Sequence, residues 1–364
     1  MAPFLLGLFF SLLLFSGETI ATTSLSPTAA PTAAPPLSAS RLFVLGDSTA
    51  NCRDNSRYAT LLWLNFSLPS CSNRLFSDLI AEKMGLVRPP PYYTLQGSSS
   101  VATSMWNFGT PQGTILSSTN SFSPSTLSRQ VRQVAEVLQI LQLGYGAISA
   151  RQMVSSALFL LSFGTDDYLR ILRRQSEISS NPKYQQHKLG PLLVSHMVRA
   201  VKDLYNADAR KIAVVGVGPI GCAPSYLQDR SSKFDSQHCV GEVNDLIAGY
   251  NAKLETRLER LRSELLDAEI VFCDVYKGIL DIISNPKIYG FENVRDPCCS
   301  VGPLSSAPCK TTCVEPHRHV WWDSYSNTEV VNSLLADWSW SNSSGTTICR
   351  PKPLQYLAGN ELEL

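Results

Sequence analysis

The sequence carries almost no excess charge, because its 31 Lys and Arg residues are balanced by 30 Asp and Glu residues. That balance argues against nucleic acid or an anionic membrane surface as the main partner. Beyond the amino terminus, no apolar segment is long enough to cross a membrane. The chain has no internal repeat and no Cys or His spacing typical of a metal site. What remains is a globular, core-forming protein of 364 residues, 44% of them hydrophobic.

The amino terminus contains an apolar run from Phe4 to Phe15. This run is too short to span a bilayer comfortably and is typical of a signal peptide, with a small-residue cleavage site at Ala21. We therefore predict a signal peptide over residues 1–21 and a secreted protein, extracellular or in the cell wall. A retained membrane anchor is the alternative. Residues 22–40 are rich in Pro, Ala, Ser and Thr, which predicts an extended linker.

A single folded domain is predicted over residues 41–355, followed by a tail over residues 356–364. Asn65 and Asn342 each begin an N-x-Ser acceptor motif for glycosylation, which agrees with secretion. The ten cysteines agree with it too, because an even number of cysteines in a secreted chain predicts disulfides.

Individual cysteines carry more specific expectations. Cys298 and Cys299 are adjacent and cannot easily bond to each other, so each is expected to pair elsewhere, with Cys309 and Cys313 nearby. Cys273 lies in an apolar, strand-like run, which suits a buried free thiol.

Four apolar runs predict strands that are buried on both faces, because their hydrophobic residues are continuous rather than alternating. They are RLFVLGDS (41–48), ALFLLSFGTDD (157–167), KIAVVGVGPIGCAP (211–224) and AEIVFCDVY (268–276). Helical patterns lie between and after them, at residues 125–144, 191–210, 242–269 and 327–338. Strands that alternate with helices favour an α/β fold with a doubly wound parallel sheet, which binds ligands at the carboxyl ends of its strands.

Ser48 follows the first of these strands and begins a Gly/Asp/Ser/Asn-rich loop. Its hydroxyl is therefore predicted at the carboxyl end of a strand, where a nucleophile belongs. The alternative for so short a motif is a turn capped by Asp and Ser.

Longer segments resemble the plant GDSL esterase/lipase family of the SGNH hydrolases. The matching segments are FVLGDS, ALFLLSFGTDDYL, VVGVGPIGCAP, DVYKGILDIISNPKIYGFENVRDPCC and WWDSYSNTEVVN. The resemblance implies a three-layer, flavodoxin-like doubly wound sheet and hydrolysis of carboxylic esters without a cofactor. It also implies a small-molecule ester, lipid or acylated carbohydrate as the ligand, and it leaves the oligomeric state open.

The same resemblance implies a Ser nucleophile, a His base and an Asp that orients the His. Ser48 matches the nucleophile position and Asp323 matches the acid position. The base position holds Ser326 instead of His, and a serine cannot accept a proton near neutral pH as an imidazole does. His317 and His319 could lie near the cleft, although we interpret both as polar loop residues.

The oxyanion donors implied by the family are the Ser48 backbone N–H, a Gly of the second block and an Asn of the third. The Gly is Gly109 or Gly113, in a segment that also contains Pro111. The Asn position holds Asp166, whose carboxylate would repel a developing oxyanion.

These departures bear on turnover. Loss of the triad His costs about 10⁶-fold in the best-studied serine hydrolase case, and loss of one oxyanion donor costs roughly 10²–10³-fold. We therefore predict a GDSL-type ester hydrolase that is catalytically impaired. The alternative is a non-catalytic pseudoenzyme that binds acyl or carbohydrate ligands in the retained cleft.

Two further interpretations concern the final block. Ser326 and Glu329 have the spacing of a capping box ahead of the last helix. Trp106, Trp321 and Trp322 suit either a ligand cleft or the core, and core packing is the commoner role.

Overall fold

The structure is a computed structural model that describes residues 41–51, 73–87, 92, 105–116, 126–177, 182–227, 239–300, 311–343 and 345–359. The predicted signal peptide (1–21), the predicted linker (22–40) and the glycosylation motif at Asn65 lie outside these residues.

The described structure contains short strands, most of which form a central sheet. The strands are β1 (Leu42–Gly46), β2 (Met105–Asn107), β3 (Leu158–Ser162), β4 (Lys211–Val215), β5 (Glu269–Cys273), β6 (Cys299–Ser300), β7 (Thr311–Thr312) and β8 (Cys349–Arg350). Six of them form one sheet in the order β2-β1-β3-β4-β5-β8, while β6 and β7 form a separate pair. Every pairing in the large sheet is parallel except that of β5 with β8.

The order 2-1-3-4-5 of the parallel strands is that of a flavodoxin-like doubly wound sheet, so the predicted fold class is confirmed. The four predicted strands correspond to β1, β3, β4 and β5. Their middle residues are aligned, because Val44 pairs with Leu160 and Ala213 pairs with both Leu160 and Val271. All four of these residues are fully buried, which explains the continuous apolar runs.

Helices flank the sheet. They are α1 (Phe76–Lys83), α2 (Leu127–Tyr145), α3 (Ala147–Ser156), α4 (Thr165–Glu177), α5 (Pro182–Asn206), α6 (Pro224–Leu227), α7 (Gly241–Glu264), α8 (Val275–Ser284), α9 (Glu329–Trp340) and α10 (Leu354–Ala358). Helices α2, α5 and α7 pack in sequence with one another, as do α1, α9 and α8. Each group presents an apolar stripe toward the core.

The predicted helices differ from the observed ones mainly at their ends. Helix α5 begins at Pro182, nine residues before the predicted start at Pro191, which lies inside the helix. Helix α10 buries Leu354 and Leu357, so packed structure continues to Ala358, within the predicted tail 356–364. Among the residues that the structure describes, no helix combines the length and the apolar character needed to span a membrane.

Disulfides connect several parts of the domain. Cys222 bonds to Cys239, and Cys298 bonds to Cys313, so Cys298 pairs with a nearby cysteine rather than with its neighbour. Cys299 is disulfide-bonded as well. The free thiol expected at Cys273 is wrong, because Cys273 bonds to Cys349 where β8 pairs with the edge of β5. The apolar surroundings of Cys273 are those of a buried strand and do not distinguish a thiol from a disulfide.

Candidate active site

The sheet brings Ser48 to the point where its strand order reverses. Ser48 lies in a tight turn after β1 (residues 46–51, the nucleophile turn), and the loop after β3 lies beside it. Backbone N–H groups of Ala50 and Asn51 donate to the Asp47 carbonyl and close this turn. Ligands of doubly wound sheets bind at this kind of switch point.

The first residue of the nucleophile turn is Gly46, which is packed too closely for any side chain. An added Cβ would lie 2.3 Å from the Ala50 Cβ and 2.6 Å from the Ser162 carbonyl oxygen. The buried Gln130 side chain of α2 accepts from the Gly46 N–H and donates to the Gly46 carbonyl, both at 2.8 Å. The end of β1 is thus fixed by a neighbouring strand and by a helix remote in sequence.

Asp47 is the second residue of the nucleophile turn and is fully buried. Its carboxylate accepts the Thr49 N–H and hydroxyl on one oxygen, at 3.0 and 2.7 Å. The other oxygen accepts the Asp166 backbone N–H at 3.3 Å. Burial, together with the nearby charge of Asp166, raises the pKa of Asp47 well above the ordinary aspartate value.

Asp166, at the start of α4, holds Ser48 by both of its polar groups. One Asp166 oxygen accepts the Ser48 hydroxyl at 2.8 Å, and the other accepts the Ser48 backbone N–H at 2.9 Å. The Gln112 backbone N–H also bonds to this carboxylate, and Gln112 adopts a left-handed φ of 61°. Burial raises the pKa of Asp166, while the three hydrogen bonds oppose that rise.

In this arrangement, the hydrogen-bond donors predicted to stabilise an oxyanion already have acceptors within the protein. The Ser48 N–H, the first donor implied by the family, is already bonded to the carboxylate at the Asn position. The Gly109 N–H donates to the Asn107 side chain at 2.9 Å, and the Gly113 N–H donates to the Thr110 carbonyl at 3.0 Å. Each backbone donor predicted at this site is therefore committed inside the protein.

The segment predicted to supply acid and base forms a second turn (residues 323–326, the base turn). One Asp323 oxygen accepts the backbone N–H of Tyr325 at 2.9 Å and that of Ser326 at 2.7 Å. The Trp322 N–H donates to the Ser326 carbonyl at 2.7 Å. The carboxylate that would orient an imidazole thus stabilises its own turn.

The capping box expected at Ser326 and Glu329 is wrong. Helix α9 begins at Glu329 with Thr328 as its N-cap residue, two positions later than the motif requires. The Thr328 hydroxyl donates to the His319 carbonyl at 2.7 Å. The Glu329 carboxylate pairs with the Arg74 guanidinium at 2.7 Å, so a tertiary contact replaces the local one.

Tyr325 is a site residue that the sequence reasoning missed. Burial raises its pKa above the ordinary tyrosine value, and an interaction with the Ser48 side chain opposes that rise. The charges of Asp323, Asp166 and Asp47 act in the same direction. The available signal was its place between the acid and base positions of a matched block.

The histidines and tryptophans considered as site residues lie in different environments. His317 is exposed, and the His319 Nδ1 atom lies 3.3 Å from the Asp296 carbonyl oxygen. Trp106 is a core residue, because its ring stacks on Phe43 with a centroid distance of 4.8 Å. Trp321 is also buried, yet its ring borders a cavity beside Ser48.

That cavity has a volume of about 90 Å³ and is lined by Ser48 and Ser326 together, so the nucleophile and base positions meet at one space. Its apolar wall comes from Val215, Ile220, Ile279, Trp321 and Leu335. Ser, Thr, Asn and Tyr side chains line the rest of the cavity, and a cavity that combines an apolar wall with polar groups is typical of a small-molecule site.

Comparison with known proteins gives the family of the chain. Residues 42–339 match the family described as GDSL-like Lipase/Acylhydrolase. The Arabidopsis thaliana protein GDSL esterase/lipase At4g26790 is 30% identical over 323 residues, which cover 81% of this chain and 89% of that protein. A second A. thaliana protein, GDSL esterase/lipase At3g50400, is 30% identical over 324 residues, which cover 81% and 85%. The family expected from the sequence motifs is confirmed: the chain belongs to the GDSL-like lipase/acylhydrolases.

Proposed function

We propose that this protein is a secreted GDSL-type ester-binding protein in which hydrolysis through a Ser-His-Asp triad no longer operates. The observation that carries the proposal is the pairing of Ser48 with Asp166, whose carboxylate accepts both the Ser48 hydroxyl at 2.8 Å and the Ser48 N–H at 2.9 Å. The first contact occupies the hydroxyl that would attack an ester. The second occupies the N–H that would stabilise the resulting oxyanion.

The missing base supports the same proposal. Ser326 stands at the base position, and Asp323 is bonded to the backbone of its own turn. Since loss of the triad His alone costs about 10⁶-fold, little turnover would remain even with an intact oxyanion site.

The cleft keeps features suited to binding. One wall of the cavity beside Ser48 is apolar, which suits the acyl part of a lipid or an acylated carbohydrate. The ligand we propose is therefore a small-molecule ester of this class.

Secretion is supported by the amino-terminal apolar run and by the disulfides of the domain. Asn342 is exposed, as a glycosylated asparagine must be. Amino-terminal sequencing of protein recovered from the medium, with and without N-glycan removal, tests both points. An intact Met1, or a mass unchanged by glycan removal, would count against them.

The catalytic part is tested by hydrolysis of a short-chain p-nitrophenyl ester. We expect the wild type and Ser48→Ala to have indistinguishable rates. The paired changes Ser326→His and Asp166→Asn should create a rate that a third change, Ser48→Ala, removes. Each single variant serves as a control, because it repairs only one of the two positions.

A slow ester hydrolase is a second candidate, favoured by the 2.8 Å contact between the Ser48 Oγ and an Asp166 oxygen. Asp166 would take the hydroxyl proton as Oγ attacks the ester carbonyl carbon, and would return that proton to the leaving alkoxide. A water deprotonated by Asp166 would then attack the acyl group on Ser48, release the acid and restore the Ser48 hydroxyl. Burial raises the pKa of Asp166, which makes it a stronger base. In this case the wild type turns over, Ser48→Ala does not, and Asp166→Asn abolishes the rate instead of helping to create one.

A further inference from the structure

An ester bound beside Ser48 needs a hydrogen-bond donor for its carbonyl oxygen. The backbone N–H groups expected to supply one, those of Ser48, Gly109 and Gly113, each donate to an acceptor inside the protein. A carbonyl oxygen that leaves water without gaining a donor costs free energy. Binding of an ester at this place therefore requires a donor from a side chain of the cavity.

Hydroxyl groups on the cavity wall can supply that donor. The hydroxyls of Ser48 and Thr49 already donate to buried carboxylates. Thr165, Tyr325 and Ser326 also line the cavity, and each carries a hydroxyl. A hydroxyl can turn about its own bond, so its proton can be directed toward a ligand.

Of these side chains, Tyr325 interacts with the side chain of Ser48, the residue at the nucleophile position. Both residues are partly exposed and line the cavity, so a ligand there can contact both. The base turn holds Tyr325 in place, because its N–H donates to Asp323 at 2.9 Å. The preceding residue is fixed too, since the Ser324 carbonyl accepts the Ser225 N–H at 2.9 Å.

The surroundings keep the Tyr325 hydroxyl protonated. Burial raises its pKa, and the charges of Asp323, Asp166 and Asp47 act in the same direction. Among the described residues that line the cavity, none is Lys, Arg or His, whose charge would stabilise a phenolate. Tyr325 is therefore a neutral donor at and above neutral pH.

From these contacts we infer that the Tyr325 hydroxyl donates a hydrogen bond to the carbonyl oxygen of the bound ester, in place of the backbone N–H groups that are committed elsewhere. The inference rests on the proposed ester-binding function and names the group that recognises the ester. It requires the cavity to prefer a carbonyl compound to an ether of the same shape, which contacts with the apolar wall alone would not produce.

Methyl butyrate and butyl methyl ether test this preference, because they differ only by a carbonyl group in place of a CH₂ group. Their dissociation constants are measured with the purified full chain by ligand-observed NMR. We expect the wild type to bind the ester about fivefold more tightly or better. In Tyr325→Phe the ether should bind at least as tightly as the ester, because the carbonyl then loses its water without gaining a donor. Equal affinities in the wild type, or an ester preference that Tyr325→Phe leaves unchanged, would overturn the inference.

Other variants identify the donor. Tyr356→Phe is the matched control, because it removes the same atom from an exposed residue of α10 that does not line the cavity, and it should keep the wild-type preference. Thr165→Val and Ser326→Ala remove the other two hydroxyls and should keep the preference as well. Its loss in either of these variants would assign the donor to a different residue and contradict the inference, even if Tyr325→Phe failed to fold.

The same spectra separate this inference from the proposed function, because hydrolysis of methyl butyrate releases methanol. Methanol release that depends on Ser48 would overturn the proposed loss of turnover and leave the Tyr325 donor standing. Equal binding of ester and ether would overturn the Tyr325 donor and leave the loss of turnover standing. Absence of binding of both probes would overturn the ester-binding function, and the inference with it.

Discussion

The nucleophile turn and the base turn face the same cavity but are held in different ways. The nucleophile turn depends on residues far away in the sequence. Gln130 forms two hydrogen bonds with Gly46, and Asp166 accepts two from Ser48. The base turn is closed mainly by its own residues, because Asp323 accepts from backbone N–H groups two and three positions later.

This difference indicates which of the two turns can change its side chains without loss of the fold. The side chain at position 326 forms no part of the hydrogen bonds that close the base turn, since those use the Ser326 backbone and the Asp323 carboxylate. A base can be lost there at little cost in stability. Ser48 and its neighbours lie among buried residues that also stabilise the end of β1, so the same freedom does not exist there.

The largest expected effect comes from Gly46→Ala. The new Cβ would lie 2.3 Å from the Ala50 Cβ and 2.6 Å from the Ser162 carbonyl oxygen, and neither backbone nor a short side chain can move aside cheaply. We expect the free energy of unfolding to fall by about 3 kcal/mol in urea titrations.

Gly249→Ala is the matched control. Gly249 lies inside α7, and an added Cβ there meets no atom within 4 Å. Alanine should stabilise that helix by about 0.5–1 kcal/mol. If both alanine variants had the stability of the wild type, the nucleophile turn would not be the rigid half of the site.

A smaller effect on the free energy of unfolding is expected from Asp167, a buried residue next to Asp166 in the sequence. Its carboxylate accepts the Ile115 N–H at 2.8 Å, and burial raises its pKa to about 7. The unfolded pKa is about 3.9, so the folded state binds more protons between about pH 4 and pH 7. The free energy of unfolding should therefore fall as pH rises through this window and level off above it.

Asp167→Asn removes the buried charge and keeps an acceptor oxygen for the Ile115 N–H, while it loses the longer bond, at 3.3 Å, from the Leu116 N–H. We expect it to be about 2 kcal/mol more stable than the wild type at pH 7.5, with a shallower pH dependence between pH 4.5 and 7.5. Some slope should remain, because burial also raises the pKa values of Asp47 and Asp166. The exposed Asp203→Asn is the control, and an equal gain in that variant would exclude burial as the cause.

The central sheet was predictable because buried parallel strands leave continuous apolar runs, as in β1, β3, β4 and β5. Strands β2 and β8 were not predicted. With three residues and two residues respectively, they are too short for a hydrophobic period to be recognised. Both lie at edges of the large sheet, where pairing depends on the strand already in place.

The site was predictable only in part, for a similar reason. Ser48 and Asp166 follow strands, so their meeting at one end of the sheet follows from the topology. That Asp166 accepts from the Ser48 backbone, or that Tyr325 reaches the Ser48 side chain, depends on how separate loops pack. At Ser326 a local pattern gave a wrong prediction. The spacing of a capping box was present, but the Glu329 side chain pairs with Arg74 instead of with the backbone at Ser326.

The smallest expected effect is that of Asp323→Ala in the base turn. The change leaves the N–H groups of Tyr325 and Ser326 without their acceptor, but the turn is only partly buried and water can replace it. We expect a loss of about 1 kcal/mol in the free energy of unfolding, roughly a third of that at Gly46. Asp323→Asn retains an acceptor oxygen and should lose less than half as much. If Asp323→Ala proved as costly as Gly46→Ala, the two turns would support the fold equally, and loss of the base could not be ascribed to a tolerant turn.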